Sequence, residues 1–346
     1  MNKRGVLIGC GFFAENHLHA WAETEGAEIV AICDLDPVRL AAMGDRFGIA
    51  RRYTDAAEMI EAERPDFADI ATTAASHRVL VELCASSVAT VICQKPIAES
   101  LADARAMVDA CEINSTQLIV HENFRWQRAF TMMKAMVDNG AIGKPHFARF
   151  SFRHGYDNYV NQPYLTEIER FAIMDVGLHL FDLAGHFMGE VRRLSCVTQK
   201  LNPIVRGEDA FTALLQHESG AASICDCSFQ SHYVPQPFPQ TAAVIEGDKG
   251  TLELDRGFHI RLHQDDKTEL FDGEPDVPSW GAKPWHTVQQ SVCAFQKHAV
   301  EVMSGTSSPQ PSGADNAKTL RLALAAYEAA ERGVTVEMQT WREGQP

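Results

Sequence analysis

The sequence predicts an α/β fold in two parts: an N-terminal doubly wound parallel sheet, then a C-terminal α+β domain with a large open, mostly antiparallel sheet. Three observations predict it. Short apolar runs alternate with helix-period segments over residues 1–125, as in a parallel sheet covered on both faces. A hairpin with two glycines separates the first apolar run from the first helical stretch. Beyond residue 125 long alternating strands are joined by turns such as Glu218-Ser219-Gly220 and Gly247-Asp248-Lys249-Gly250, the pattern of an antiparallel meander.

The first strand is the buried run 5–8, followed at once by Gly9-Cys10-Gly11-Phe12-Phe13-Ala14, a helix over 14–21, a strand over 28–33, and Asp34 at its end. This is the G-x-G-x-x-A form of the dinucleotide fingerprint, in the strand–turn–helix context that gives it meaning. Gly9 permits the tight turn, Gly11 lets backbone approach a pyrophosphate, and Ala14 allows close helix–strand packing. The backbone of Cys10, Phe12 and Phe13 leads into a helix N-terminus that favours phosphate. Asp34, about twenty residues beyond the loop, accepts from ribose hydroxyls and repels a 2′-phosphate. The expected cofactor is therefore NAD rather than NADP, with Arg39 placed to soften that preference.

The next elements are strand 67–71, helix 77–86, strand 90–93, helix 101–113 and strand 117–120. Ligands bind beyond the C-terminal ends of such strands, which gathers Gly9, Asp34, Thr72, Lys95 and Asn123 around one crevice. The expected division is 1–125 as an NAD-binding Rossmann domain and 126–346 as a substrate-binding and oligomerisation domain, its last helix able to pack back on the first. In the second part, helix 127–138 and the turn Asn139-Gly140 lead to strand 146–153. A loop carrying Tyr156, Asp157, Asn158, Gln162 and Tyr164 precedes helix 175–187. Strands follow at 191–200, 210–216, 221–228, 241–246, 251–254 and 259–263, then helices at 285–303 and 317–332. One face of the open sheet needs a cover, and self-association supplies it most simply.

A chain of 346 residues can hold two cores. Its formal charge of −15 repels nucleic-acid phosphates. No apolar run is long enough to span a membrane, and the N-terminus lacks the pattern of a signal peptide, so a cytoplasmic enzyme is expected. The nine cysteines include no C-x-x-C pair, and Cys10, Cys33, Cys93 and Cys225 lie in apolar contexts that suit buried thiols in a reducing compartment.

Two constellations can do chemistry. Gln94-Lys95-Pro96 directly follows a strand at the cofactor crevice; Lys95 is either a solvated lysine or a group that polarises a substrate hydroxyl. In Asp175-Val176-Gly177-Leu178-His179, the acid and the imidazole share a helix face, with Asp182 and His186 continuing the stripe. Three readings stand: a hydrogen-bonded core histidine, a metal site, or a general base. The spacing lacks H-E-x-x-H and no cysteine is near, so no metal is expected. A neutral imidazole titrates near working pH, which suits a base.

Together with Ala141-Ile142-Gly143-Lys144-Pro145, these motifs resemble the glucose–fructose oxidoreductase / inositol dehydrogenase / rhizopine-catabolism (Gfo/Idh/MocA) family over nearly the whole chain. The resemblance implies a Rossmann domain joined to an open-sheet α/β domain, assembled as a homodimer or homotetramer across that sheet. It implies that Lys95, Asp175 and His179 surround the reacting carbon: His179 as general base, Lys95 polarising the hydroxyl, Asp175 orienting substrate or imidazole. It also implies a cis bond before Pro96, and cofactor contacts from Thr72, Thr73, His77, Gln94, Lys95 and Asn123. Two departures matter. Gln94 replaces the usual acid, so pKa tuning by that carboxylate is absent. Thr72-Thr73-Ala74 replaces the usual Thr-Pro-Asn, although His77 still matches.

Within the family, Ile92-Cys93-Gln94-Lys95-Pro96, Val120-His121-Glu122-Asn123-Phe124-Arg125-Trp126-Gln127, Gln162-Pro163-Tyr164-Leu165 and Lys283-Pro284-Trp285-His286 resemble bacterial D-apiose dehydrogenases. This implies NAD-dependent oxidation of a branched furanose at its anomeric carbon, giving a lactone. Arg153, Asn158, Tyr164, Trp285 and His286 are then candidate sugar contacts beside Lys95, Asp175 and His179. Rival expectations are oxidation of a secondary hydroxyl of a pyranose or inositol-like polyol, glycoside cleavage with NAD retained, and a non-catalytic NAD-binding sensor.

Overall fold

The computed structural model describes residues 2–160 and 162–344. In chain order the first elements are β1 (Lys3–Ile8), α1 (Ala14–Glu23), β2 (Ala27–Cys33), α2 (Pro37–Phe47), β3 (Arg51–Tyr53), α3 (Ala56–Glu63), β4 (Phe67–Ile70), α4 (Ala74–Ala85), β5 (Thr90–Gln94), α5 (Leu101–Ile113) and β6 (Gln117–His121). Then come α6 (Arg128–Asp138), β7 (Pro145–Arg153), a π-helical turn (Ile173–Gly177), α7 (Leu178–Met188), β8 (Val191–Gln199), β9 (Ala210–His217) and β10 (Ala222–Ser228). The chain ends with β11 (Thr241–Gly247), β12 (Gly250–Leu254), β13 (His259–Gln264), β14 (Lys267–Asp272), α8 (His286–Met303), α9 (Gly313–Arg332) and β15 (Val336–Glu337). None of the described helices is long and apolar enough to cross a membrane.

The chain divides into two compact units: residues 1–126 with 276–320, and residues 127–275 with 321–346. The first carries a parallel sheet in the order β3-β2-β1-β4-β5-β6. That order reverses direction between β1 and β4, and such a switch point opens a ligand crevice at the carboxyl ends of the strands. β1 buries Gly5, Val6, Leu7 and Ile8 without alternation, as a strand covered on both faces must. Helices α2 and α3, left unassigned by the apolar pattern, start on side-chain caps. Asp36 accepts from the N–H groups of Val38 and Arg39, and Asp55 from those of Ala57 and Glu58. Helix α4 starts at Ala74, three residues before the expected 77, with Thr73 in the extended N-cap position.

Residues 276–320, expected in the second domain, belong to the first unit. Val292, Phe295, Ala299 and Val302 form an apolar stripe along α8, each at most 1% exposed. Phe295, Ala299 and Val302 complete a core with Trp21, Phe67, Ile92 and Ile119. This burial, invisible in local sequence order, moves the boundary.

The second unit is built on a nine-stranded sheet, in the order β14-β13-β12-β11-β7-β10-β9-β8-β15. Among the described residues of this sheet only the β7–β10 pairing is parallel. Even-numbered residues of β7 face the helices: Phe150 packs on Phe130 of α6 and Phe187 of α7. The odd-numbered Arg149, Ser151 and Arg153 lie on the opposite face, all bonded to the buried Asp226 of β10.

Candidate active site

In the first unit, the loop after β1 is set by Gly9, whose φ of +101° suits glycine and whose missing side chain would stand 2.8 Å from the Ala71 carbonyl oxygen. A Cβ on Gly11, by contrast, would point into open space, leaving its backbone approachable. Asp34 is tied to this loop: its Oδ2 accepts from the Cys10 N–H at 2.7 Å. Its Oδ1 accepts from the Asp36 N–H at 2.8 Å and from Arg39 Nη2 at 3.3 Å. A carboxylate fixed beside an open glycine backbone and the start of α1 fits the ribose and pyrophosphate of a dinucleotide. Arg39 spends its charge on Asp34 and Asp36. The Cys10 thiol is pushed up to about 12, by burial first and then by the Asp34 charge, so it stays protonated and packs as a small apolar group. Phe12 is exposed, whereas Phe13 turns its ring edge to His17 and His121.

Lys95 follows β5 at the same sheet edge, half-buried, and its bond to Pro96 is cis. The buried Gln94 side chain accepts from the Lys95 N–H at 2.7 Å. His77, expected to touch the cofactor, is 0% exposed. Its ring nitrogens face the carbonyls of Pro96 (3.0 Å), Ile97 (3.2 Å) and Thr72 (3.1 Å), so it fastens the loop after β4 to the loop after β5. Burial holds this imidazole below its ordinary pKa. Thr72 accepts from Ser76 Oγ at 2.8 Å, and Thr73 is exposed at the start of α4. Asn123 donates to Ser291 Oγ of α8 at 2.7 Å, a bond that anchors the helix. Trp285 and His286, at the start of α8, therefore belong to the same unit as Lys95, Trp285 half-buried and His286 buried.

In the second unit, Asp175 and His179 lie where a π turn passes into α7. The segment expected as one regular helix from 175 opens with the bond from Leu178 N–H to Ile173 O, five residues back. Such widened turns recur at functional sites. The turn is gripped by Glu208: Oε1 accepts from Ile173 N–H at 2.9 Å and from Tyr327 OH at 2.7 Å, and Oε2 from Phe171 N–H at 3.3 Å. Asp175 is half-buried and His179 is 5% exposed. Around Asp175 stand Tyr164, an exposed side chain whose phenol is pushed up by partial desolvation and then by the Asp175 charge, and His154. Tyr164 OH donates to Gln162 at 3.1 Å, and the Asn158 carbonyl accepts from the Gln162 N–H at 3.0 Å.

Arg153, expected as a sugar contact, turns away from α7 and pairs with Asp226 at 3.1 Å on the other face of the sheet. Strand parity is the reason, and it delivers the next residue instead. His154 is 1% exposed, packed between Phe152 and Phe229. Its Nδ1 accepts from the Tyr156 N–H at 3.1 Å, so the proton of the neutral ring is on Nε2. That Nε2 is buried and has no hydrogen-bond partner among the described residues. The missed signal was the alternation Ala148, Phe150, Phe152 against Arg149, Ser151, Arg153.

Burial lowers the His154 pKa to about 4 against an ordinary 6.5. The unfolded chain then takes up this proton first as pH falls. The associated stability is complete above about pH 6.5 and is lost progressively down to about pH 4. Thermal melting across that window should fall more steeply for the native chain than for His154→Phe; identical slopes would contradict the assignment. Among the described residues no cluster of three or more His, Cys, Asp or Glu side chains is placed to hold a metal.

Comparison with known proteins identifies the family and the fold. Residues 3–122 match an oxidoreductase family with an NAD-binding Rossmann fold, and residues 130–253 match the GFO/IDH/MocA C-terminal domain. The D-apiose dehydrogenase of Rhizobium rhizogenes is 48% identical over 97% of this chain and 97% of its own. That of Paraburkholderia graminis is 48% identical over 97% of this chain and 90% of its own. An oxidoreductase from Agrobacterium radiobacter, solved in complex with NAD+, L-tartaric acid and magnesium, is 47% identical, with a TM-score of 0.95 over 98% of this chain and 99% of that one. The chain belongs to the GFO/IDH/MocA family of oxidoreductases, with an NAD-binding Rossmann domain at its N-terminus.

Proposed function

We propose that this protein is an NAD-dependent sugar dehydrogenase that oxidises the anomeric carbon of a D-apiose-like furanose to a lactone. One geometric observation carries the reading: Lys95 emerges at the sheet edge that also bears the open Gly9–Gly11 backbone and Asp34. The 48% identity to two D-apiose dehydrogenases supports the substrate class.

NAD, held by the glycine loop and Asp34, supplies the acceptor for the hydride of the anomeric C–H. The chain's own residues handle the hydroxyl. The Lys95 ammonium donates to that oxygen and stabilises the negative charge that grows on it. His179 takes the hydroxyl proton as the carbonyl forms, and Asp175 orients the sugar or the imidazole. The His154 Nε2–H serves as a fixed donor to a sugar oxygen. Its loss in His154→Phe should raise KM about tenfold with little change in kcat, the signature of one hydrogen bond made equally in ground and transition states. An unchanged KM would remove His154 from the site.

The defining experiment offers D-apiose, a pyranose panel and myo-inositol with NAD and follows NADH. D-apiose should dominate in kcat/KM, and its product should hydrolyse with release of acid, as a lactone does and a ketone does not. Preference for an inositol or pyranose, with a ketone product, would transfer the reading to secondary hydroxyls. Binding of NAD with turnover of no sugar would make the protein a sensor. Self-association through the exposed face of the second sheet, which carries Val197, Leu214 and Leu270, completes the proposal; light scattering should report a dimer or tetramer.

A further inference from the structure

Gln94, the residue before Lys95, is wired into the interior of the first unit. Gln94 Oε1 accepts from the Lys95 N–H at 2.7 Å, which identifies the other amide atom as the NH2 group. That group lies 3.1 Å from His17 Nε2, so His17 Nε2 must offer its lone pair. The ring proton is then on Nδ1, which donates to Asp69 Oδ2 at 2.9 Å. Trp21 Nε1–H donates to the same oxygen at 2.8 Å. The donors and acceptors that link the series are thereby assigned, Asp69 Oδ1 standing outside it, and His17 is the neutral Nδ1–H tautomer. His17 and Asp69 are each 0% exposed, and Gln94 is 8% exposed.

We propose that Gln94 is a positioning residue for Lys95, holding its backbone through the directional series Asp69–His17–Gln94–Lys95, and that an amide is required there because His17 is neutral. This rests on the role given to Lys95 above. A glutamate at 94 would meet the His17 lone pair with its own. Turning the ring proton to Nε2 only moves the conflict to Asp69. The series is restored when His17 takes a second proton and bridges the two carboxylates. Gln94→Glu therefore makes the support depend on an added proton.

The groups facing His17 bear on that titration. β4 contributes Asp69, and behind it the Cys93 thiol on β5, which burial and then Asp69 hold well above its ordinary pKa and so uncharged. β6 contributes His121, stacked on His17 at 4.1 Å, Phe13 stands just before α1, and α1 itself contributes Trp21. From α8, Gln296 donates to the His17 carbonyl at 3.0 Å.

The test is the pH dependence of D-apiose oxidation between about pH 5 and pH 9, which spans histidine titration. Gln94→Glu should lose about 10–100-fold in kcat on the alkaline side and regain it as pH falls, with KM and NAD affinity little changed. Gln94→Glu/His17→Gln, whose second amide can donate to the new carboxylate, should lack that pH-dependent limb. A native-shaped profile in Gln94→Glu, or persistence of the limb in the double variant, overturns the proposal. If Gln94→Glu folds poorly, Gln94→Met replaces it. Its kcat should fall about tenfold at every pH, and an unchanged kcat is equally fatal. Lys95→Ala is measured in parallel: turnover that survives it removes the role of Lys95 itself. Collapse there beside a native-shaped Gln94→Glu profile removes only the relay.

Discussion

Lys95→Ala and His179→Ala are each expected to lower kcat for sugar oxidation by about 10²–10⁴-fold, the range a positioned acid–base group contributes, while NAD binding persists. The separation follows from what each residue touches. In the proposed reading the dinucleotide is held by the Gly9–Gly11 backbone, by the start of α1 and by Asp34, which the Cys10 and Asp36 N–H groups fix in place. None of those contacts passes through either side chain. In the proposed mechanism His179→Ala removes the group that takes the hydroxyl proton, and Lys95→Ala removes the donor that stabilises the charge growing on that oxygen. Steady-state NADH formation with titrated NAD binding decides the matter: near-native rates in both variants would remove the mechanism, and lost NAD binding would move the residues to a cofactor role.

What the sequence made legible is what is local. The glycine loop, Asp34 and Lys95 sit within or beside single turns, so spacing along the chain is spacing in space. Caps at Asp36 and Asp55 were equally local, and the apolar pattern passed over them because α2 and α3 bury few side chains. Residues 276–320 were misplaced because α8 shows an apolar stripe without saying which core it completes; that depends on Phe67, Ile92 and Ile119, far away in the chain. Arg153 carries a charge that suits a sugar, but strand parity decides the face and sets it against Asp226. His77 and Asn123 matched a cofactor-side pattern, and in the structure they bond to loop carbonyls and to Ser291 of α8. Gln94 read as a lost acid; only the positions of His17 and Asp69 show what the amide does.

Glu208→Ala should be the most damaging change remote from the reacting groups. Glu208 belongs to no motif and is 9% exposed. Its carboxylate accepts from two backbone N–H groups leading into the π turn and from the Tyr327 hydroxyl. Its own carbonyl accepts from the Ala172 N–H at 3.0 Å. Truncation leaves those three side-chain-bound donors without their acceptor, at about 1–3 kcal/mol for each buried group that stays unsatisfied. Partial relaxation of the turn limits the total to about 3–5 kcal/mol, the range for breaking a buried charged network. The relaxation has its own cost, because Asp175 follows Ile173 by two residues and His179 by six. A turn that loosens moves both side chains proposed to act on the sugar, and small misplacements of that kind cost about 10²-fold in rate. Glu208→Gln is the control. One amide oxygen still serves Ile173 and Tyr327, while the NH2 group confronts the Phe171 N–H, so its stability loss should be roughly half that of alanine. Denaturant midpoints order the native chain, Glu208→Gln and Glu208→Ala, and kcat measured well below each melting temperature should fall in the same order. A fully active, destabilised Glu208→Ala would mean that the π turn keeps its shape without this carboxylate.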